Sequence, residues 1–524
     1  MKKISAFVLA IAMIVGLSAC GGKTEPEQSK APVEAAQSSE PNVAPVAKDT
    51  VVLATSGEPY RFFPQGSASS SGDDCLVLSN VYDCLLQLEA DGSLTPSLAD
   101  TYEVTEDGME YTFHLHKGVK FHNGVEMTAE DVKFTLDQGK AGPIGNALLV
   151  NYDHCDILDD YTIKITLTSP FAAFPYCVAS RVAAVACKSY FDEVGEDGYM
   201  AKPIGTGPYK FVEYVSGDHT TLEANDEYWK GAPAIKKVVI QTVADTNTQV
   251  LGLRNGDYDI IRNPSIDVCT RFDSEPNVEW NAVNSTGRIT MYMASWTGIT
   301  ADKNFRKAVQ SAINKDDVNM AMYAGYSEAL PIDMCSNYSG YPTEKDGIKV
   351  VGYDPEAAKG YLAQSKYNGE PFEITCQSGG SLETAAKVIQ AQLMEIGINC
   401  TVNAVDNVTY KNISKERTYQ AYICNNLNSL VDADGIMTYH RLDRWPLDHC
   451  APRDEELSDL FMKGRAAQGD ARLPYYVEGC NIITEEAYDV PLVNDMTTIA
   501  YNKDLAGVEA HCLGSYLMYN WSWK

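Results

Sequence analysis

The stretch Phe372-Glu373-Ile374-Thr375-Cys376, followed by Gln377-Ser378-Gly379-Gly380, a segment from Ser381 to Ile396, Gly397, and Ile398-Asn399-Cys400-Thr401-Val402, decides the fold class. The outer pieces are rich in β-branched and apolar residues and read as strands. The glycines mark turns, and Gly397 ends the helix predicted between them. Strand, helix and strand at this spacing belong to an α/β lobe. The same alternation, less regular, extends in both directions. Strands are expected at Val51–Ala54, Tyr111–Leu115, Tyr161–Thr168 and Lys236–Gln241. Helices are expected at Leu76–Leu88, at Asp245–Asn255 with Gly256 as its stop, at Phe305–Ile313 and at Asp354–Ala363. Thr128-Ala129-Glu130-Asp131 opens a further helix, with Thr128 as N-cap and Asp131 three residues on, close to a capping box. No solenoid repeat is visible.

The first fifty residues differ in character. Lys2 and Lys3 precede an uncharged apolar stretch, Ile4 to Val15, and then Gly16-Leu17-Ser18-Ala19-Cys20-Gly21. An apolar run this short, ending in small residues, predicts a secretory signal and not a membrane span. Leu17-Ser18-Ala19-Cys20-Gly21 resembles the bacterial lipobox. That resemblance implies a signal over residues 1–20, lipidation of the Cys20 thiol, and cleavage that leaves Cys20 as the first residue. The competing reading is an ordinary signal whose cleavage site adjoins a Cys. Residues 21–48 are rich in Pro, Ala, Ser, Glu and Gln and hold no aromatic residue. They cannot bury enough apolar surface to offset their ordering entropy and read as a flexible tether. Acyl chains contribute about 0.8 kcal/mol per buried methylene, so more than one anchors a protein without a transmembrane helix.

The chain has 524 residues and a net charge of −29, which argues against nucleic acid and anionic lipid as partners. The acidity serves solubility first, though it could also draw cationic ligands. Of 14 cysteines, setting Cys20 aside leaves 13, so disulfides cannot use them all. None forms a Cys-x-x-Cys pair, and the eight histidines are scattered, so no metal site is expected. Disulfides and buried free thiols both remain open. Gly205-x-Gly207-Pro208 lacks the Lys-Ser/Thr of a phosphate loop and reads as a tight turn leading into a sheet.

Several motifs occur in a fixed order. They are Tyr82-Asp83-Cys84-Leu85-Leu86, Asp91-Gly92-Ser93-Leu94-Thr95-Pro96-Ser97-Leu98-Ala99, Glu106-Asp107-Gly108, Gly118-Val119-Lys120-Phe121-His122-Asn123-Gly124, Pro203-Ile204-Gly205-Thr206-Gly207-Pro208-Tyr209, Asn225-Asp226-Glu227-Tyr228-Trp229, Leu253-Arg254-Asn255-Gly256-Asp257-Tyr258-Asp259 and Phe305-Arg306-Lys307-Ala308-Val309. Together they resemble the solute-binding proteins of oligopeptide, dipeptide and nickel-chelate ABC importers. The resemblance covers nearly everything after the tether. It implies an α/β fold of the periplasmic-binding-protein type, a bilobal cleft with an additional inserted domain. The three lobes would be residues 49–80, 200–285 and 497–524 (lobe I), 81–199 (lobe II, the insert) and 286–496 (lobe III), with a hinge that closes on ligand.

By the same resemblance the loop from Tyr60 to Ser71 lines the cleft. Arg181 falls where nickel-chelate relatives place an arginine that holds a carboxylate, a role suited to its planar fork. Gln377 and Ser378 precede a helix whose first N–H groups favour an anion. The Arg that dipeptide binders carry nearby is missing, since Cys376 and Gln377 stand there. Ser429 occupies the position at which peptide binders use an Asp for the ligand's α-amino group. Asp432 is a further contact candidate, or a helix cap. Trp296 and Trp445 are candidates for apolar walls, or for core. No cofactor and no metal are expected. The partners implied are a small molecule or short peptide, an ABC permease and, through the anchor, the membrane. A monomer is expected, placed outside the cytoplasm. A receptor that presents ligand to a membrane sensor is the alternative. A lipid-anchored hydrolase finds no Gly-x-Ser-x-Gly or His-Glu-x-x-His support.

Overall fold

The computed structural model of the chain describes residues 48–66, 72–142, 148–428, 430–437, 440, 452 and 454–524. In chain order the strands discussed are β1 (Thr50–Thr55), β2 (Leu86–Leu88), β3 (Leu94–Pro96), β4 (Ala99–Val104), β5 (Glu110–Leu115), β6 (Tyr152–Asp159), β7 (Thr162–Leu167) and β8 (Tyr209–Val215). They continue with β9 (His219–Ala224), β10 (Lys237–Thr242), β11 (Ile260–Arg262), β12 (Val278–Met293), β13 (Phe372–Gln377), β14 (Cys400–Val405), β15 (Ala421–Leu427) and β16 (Asp489–Asn502). One ten-stranded sheet runs β14-β13-β15-β12-β16-β11-β1-β10-β9-β8, and β4-β5-β7-β6 form a separate four-stranded sheet. With helices against these sheets, the fold is the mixed α/β type expected.

The deciding stretch folds as read. β13 and β14 lie parallel, with Phe372 opposite Cys400, and the helix Ser381–Glu395 connects them. Gly397 takes φ 94°, a left-handed geometry that favours glycine. Buried Ala385, Ala386, Ile389 and Leu393 are the face this helix lays on the sheet. Full burial of a side chain the size of Ile389 or Leu393 is worth about 1.5–3 kcal/mol. The other caps also hold. Thr128 and Asp131 form the reciprocal capping box, Asp245 accepts from the Thr248 N–H, and Gly256 closes its helix at φ 81°.

One element differs. The helix expected over Leu76–Leu88 ends at Val81, because Tyr82 turns to extended backbone (φ −121°, ψ 153°). Leu86–Leu88 instead pair antiparallel with Leu94–Pro96. An apolar run does not by itself distinguish helix from strand, and here the cross-strand partner decides.

The apolar residues gather into three large clusters. One surrounds β1 and β10 and takes in Tyr516 and Trp521 from the end of the chain. A second backs the four-stranded sheet, and a third packs β12, β13 and β15 against their helices. β12 and β16 run side by side through the middle of the ten-stranded sheet, so the expected lobe boundaries near 285 and 496 fall inside strands. Their register slips between Asn284 and Arg288 and again between Ile289 and Thr290. Residues 48–524 make up one compact unit.

Candidate functional site

A cavity of about 240 Å³ opens where separate parts of the chain meet. The helix Cys75–Val81 supplies Cys75, Leu78 and Ser79. The segment after it supplies Tyr82, Cys84, Leu86, Gln87 and Leu88. Ala179, Ser180, Arg181 and Ala184 close another side, Leu427 and Asn428 come from the end of β15, and His511, Leu513, Ser515 and Leu517 from the C-terminal segment.

The family-like motifs hold this wall in place. A Cβ on Gly205 would collide with the Val81 carbonyl oxygen, and one on Gly207 would lie 2.6 Å from the Asn80 carbonyl oxygen. Only glycine lets this turn press against the helix end. Asp83, buried beside it, accepts from the Thr206 hydroxyl at 2.9 Å, the Tyr228 hydroxyl at 3.0 Å and the Trp229 indole at 3.1 Å. One carboxylate thus joins three motifs that are distant in sequence, and a buried acid needs such donors.

Arg181 opens the short 3₁₀ turn Arg181–Ala183, is half-buried, and donates from Nη1 to the Cys75 sulfur at 3.3 Å. His511 is buried, and its Nδ1 accepts the Leu513 N–H at 3.1 Å. Its Nε2 therefore carries the proton and donates to the Leu88 carbonyl at 3.2 Å. Burial pulls the His511 pKa down, against the bond to Leu88 and the charges of Glu89 and Asp91. Burial pushes the Cys84 thiol up, so it stays protonated. The described lining contains neither Asp nor Glu.

Among the residues singled out from sequence, Arg181 lines this cavity. Tyr60 is 44 % exposed on a loop whose backbone N–H groups at 60 and 61 bond to Asp74. Gln377 is half-buried and Ser378 exposed, and Ser378 donates its N–H to Val405. The anion-favouring N–H of Gly379 is occupied by the chain's own Glu383 at 2.7 Å. Asp432 is buried and accepts two bonds from Arg472, one from Nη1 at 2.8 Å and one from Nη2. Trp296 lies past the Met293 end of β12, against Tyr419 and under the Arg417 guanidinium at 3.6 Å. Cys20, Ser429 and Trp445 lie outside the described residues. Sequence reading missed the wall made by Cys75, Cys84, His511 and Ser515. The Asp83 and Gly205 motifs point toward it, but nothing local marks the residues around 511.

Elsewhere, Asp333, His440 and Asp489 form a buried group whose ligand-capable atoms lie within 4.8 Å of one another. Asp333 already accepts from Arg288 Nε at 2.8 Å, Thr290 at 2.6 Å and Tyr292 at 3.0 Å. Burial would push its carboxyl up, but Arg288 holds it well below the usual range. Burial and then Asp333 push Asp489 well above it. Burial pulls Lys315 down to about 8 while Asp489 opposes. Arg288 thus supplies the counter-charge to Asp333, Asp489 is pushed toward its neutral form, and Lys315 donates to the Leu330 carbonyl. The twelve described cysteines are all free, which decides the open question for these positions. No helix among the described residues is long and apolar enough to cross a membrane.

Residues 93–445 match the model of the bacterial extracellular solute-binding proteins, family 5 (middle region). The chain belongs to this family. It is 27% identical over 453 residues to heme-binding protein A of Haemophilus influenzae, covering 79% of each chain. To the glutathione-binding protein GsiB of Pectobacterium atrosepticum it is 31% identical over 384 residues, 69% of this chain and 70% of that one. Among solved structures, HbpA2 from Haemophilus parasuis superposes with a TM-score of 0.80 at 23% identity, over 91% of this chain and all of that one (100%). NikZ from Campylobacter jejuni, in complex with Ni(L-His), gives 0.74 at 22%, over 91% and 100%. These two support the fold alone. The family 5 member described here is an extracytoplasmic substrate-binding protein of ABC importers, and not an enzyme.

Proposed function

We propose that this protein captures a small carboxylate solute in the cavity beside Arg181 and delivers it to a membrane permease while tethered by a lipid on Cys20. The observation that carries the reading is the convergence of three chain segments and the end of β15 on one cavity whose wall includes Arg181. A guanidinium in an enclosed, mostly apolar wall favours an anion, since its charge is poorly screened there. The slipped register of β12 against β16 at Asn284–Arg288 is where lobe I (residues 49–80, 200–285 and 497–524) and lobe III (residues 286–496) would rotate about one another. The permease would then read the closed form. Residues 1–20 would be the cleaved signal and 21–48 the tether.

The test is direct. The chain from Lys48 onward is purified, and its thermal midpoint is followed against a library of peptides, amino-acid derivatives and metal chelates. Mass spectrometry identifies what co-purifies. A rise of several degrees with a carboxylate solute is expected. No shift and no co-purified small molecule would sink the capture role. For the anchor, Cys20→Ser in the full chain should release the protein or leave it unprocessed, and normal lipidation of that variant would overturn the assignment.

A further inference from the structure

We infer that Thr286 is a positioning residue of the candidate site, tying two parts of the cavity wall, Asn428 just past β15 and the turn at 511–513, to the bulge in β12. Its part in binding rests on the capture role proposed above. Its place in the wall rests on its own hydrogen bonds.

The bulge comes first. Asn284 and Arg288 lie four steps apart along β12, while their partners Met496 and Asn494 lie two steps apart on β16. Two residues of β12 are therefore surplus to the ladder, and surplus residues bend a strand and turn its polar groups toward other partners. Ser285, Thr286 and Gly287 are buried there, so their backbone groups need partners from elsewhere. Asn494 donates its Nδ2 to the Ser285 and Gly287 carbonyls, each at 3.1 Å. Asn337 donates its Nδ2 to the Asn284 carbonyl at 3.2 Å and the Ser285 carbonyl at 3.4 Å. The bulge is thus fastened on both flanks by side-chain amides.

Thr286, at its centre, faces the wall. Its N–H donates to the Cys512 carbonyl at 3.1 Å. Its own carbonyl accepts the Asn428 N–H at 3.2 Å and the Tyr338 hydroxyl at 2.7 Å. Its hydroxyl donates to the Asn428 carbonyl at 2.6 Å. One residue therefore holds both backbone groups of Asn428 and also the turn at Cys512. Cys512 stands between His511 and Leu513, and all three of Asn428, His511 and Leu513 line the cavity. Gly287 then pairs with Leu427, another lining residue, as the first rung between β12 and β15. Segments distant in sequence reach the cavity in fixed relation because each is bonded to the same short bulge. The hydroxyl is the side chain's share of this. Without it the Asn428 carbonyl loses its donor, and a partly buried acceptor left without one is the costly half of a broken hydrogen bond.

Thr286→Val keeps the shape and removes the hydroxyl, and Thr286→Ser keeps the hydroxyl. Both are made in the chain from Lys48 onward, which forms one compact unit. Hydrogen–deuterium exchange read by mass spectrometry should rise at least tenfold around 427–428 and at least threefold across 511–515 in Thr286→Val. The helix Ser381–Glu395 should stay unchanged, and Thr286→Ser should match the unaltered chain. A rise that is equal everywhere marks a residue that only supports the fold and overturns the inference. So does a rise in one of the two segments alone, or in neither. Should Thr286→Val fold poorly, exchange in the unaltered chain decides. The two segments should open together, with one protection and one urea dependence, and separate openings overturn the inference. Binding is read with the library of peptides, amino-acid derivatives and metal chelates named above. Thr286→Val should at least halve the largest thermal shift and Thr286→Ser should keep it, and an unchanged shift in Thr286→Val overturns the role in binding. If no member of the library shifts the unaltered chain, the capture role fails, and the exchange result alone decides for or against the hold of Thr286 on the wall.

Discussion

Arg472 and Arg181 are both drawn out of bulk water, and the protein treats them in opposite ways. Arg472 is buried and gripped by both oxygens of Asp432, with the Tyr476 hydroxyl beside its Nε at 3.1 Å. Arg288 is handled similarly by Asp333. Arg181 instead donates to the Cys75 sulfur in a wall whose described residues include no carboxylate. An arginine held by a buried carboxylate serves packing, whereas one in a cavity wall whose described residues include no acid is the candidate for meeting a solute. On the capture role proposed above, the placement of the aspartates, more than that of the arginines, separates structure from recognition.

The strongest way to break this contrast is at Asp432. Asp432→Asn leaves Arg472 buried without its counter-charge and should cost about 3–5 kcal/mol, read as a lower urea midpoint. Arg181→Met should move that midpoint by less than about 1 kcal/mol. If Asp432→Asn spares stability and weakens ligand instead, the two arginines have been assigned the wrong way round. Next in size is Gly205→Ala, which drives a methyl group into the Val81 carbonyl and should cost about 1–3 kcal/mol. Because the Val81 end carries Tyr82 and Cys84 into the cavity, that substitution should weaken ligand-induced stabilisation as well.

The pH response should come from buried neutral groups. His122 accepts the Gly205 N–H and donates to the Gly207 carbonyl, and burial pulls it down to about 4. Its folded value lies below the unfolded one, so the unfolded chain binds the extra proton on acidification. Stability should fall as pH drops from about 6.5 to about 4, and His122→Gln should flatten that part of the profile. At the other end, burial pushes Cys155, Cys269, Cys335, Cys400 and Cys512 up to about 12. Their folded values lie above the unfolded ones, so that stabilisation is present below about pH 8.5 and is lost as pH climbs toward 12. Urea midpoints across the pH range check both limbs. The smallest effect is expected at Trp296. Trp296→Ala removes the Arg417 stack, worth about 0.5–1 kcal/mol at an exposed site, and should leave ligand affinity within about twofold. A larger loss of affinity would place a second wall of the site in that part of the protein.

What the sequence determined by itself was local or periodic. The strand–helix–strand unit around Ser381–Glu395, the Thr128–Asp131 box and the Gly256 stop depend on residues a few positions apart, and they fold as the pattern requires. The ordered motifs also carried the family, and through it the interest in Arg181. The Leu76–Leu88 run could not be divided from sequence, because its strand half exists only through pairing with Leu94–Pro96. Tertiary structure alone decided that Asp432 belongs to Arg472, 40 residues away, and that Leu88 and His511, 423 residues apart, share one cavity wall. Hydrogen bonds and charge pairs act over a few ångströms of space whatever the separation along the chain. Residue spacing therefore records a helix cap, while the partner of a buried aspartate, and with it the character of the site, is settled only once the chain has folded.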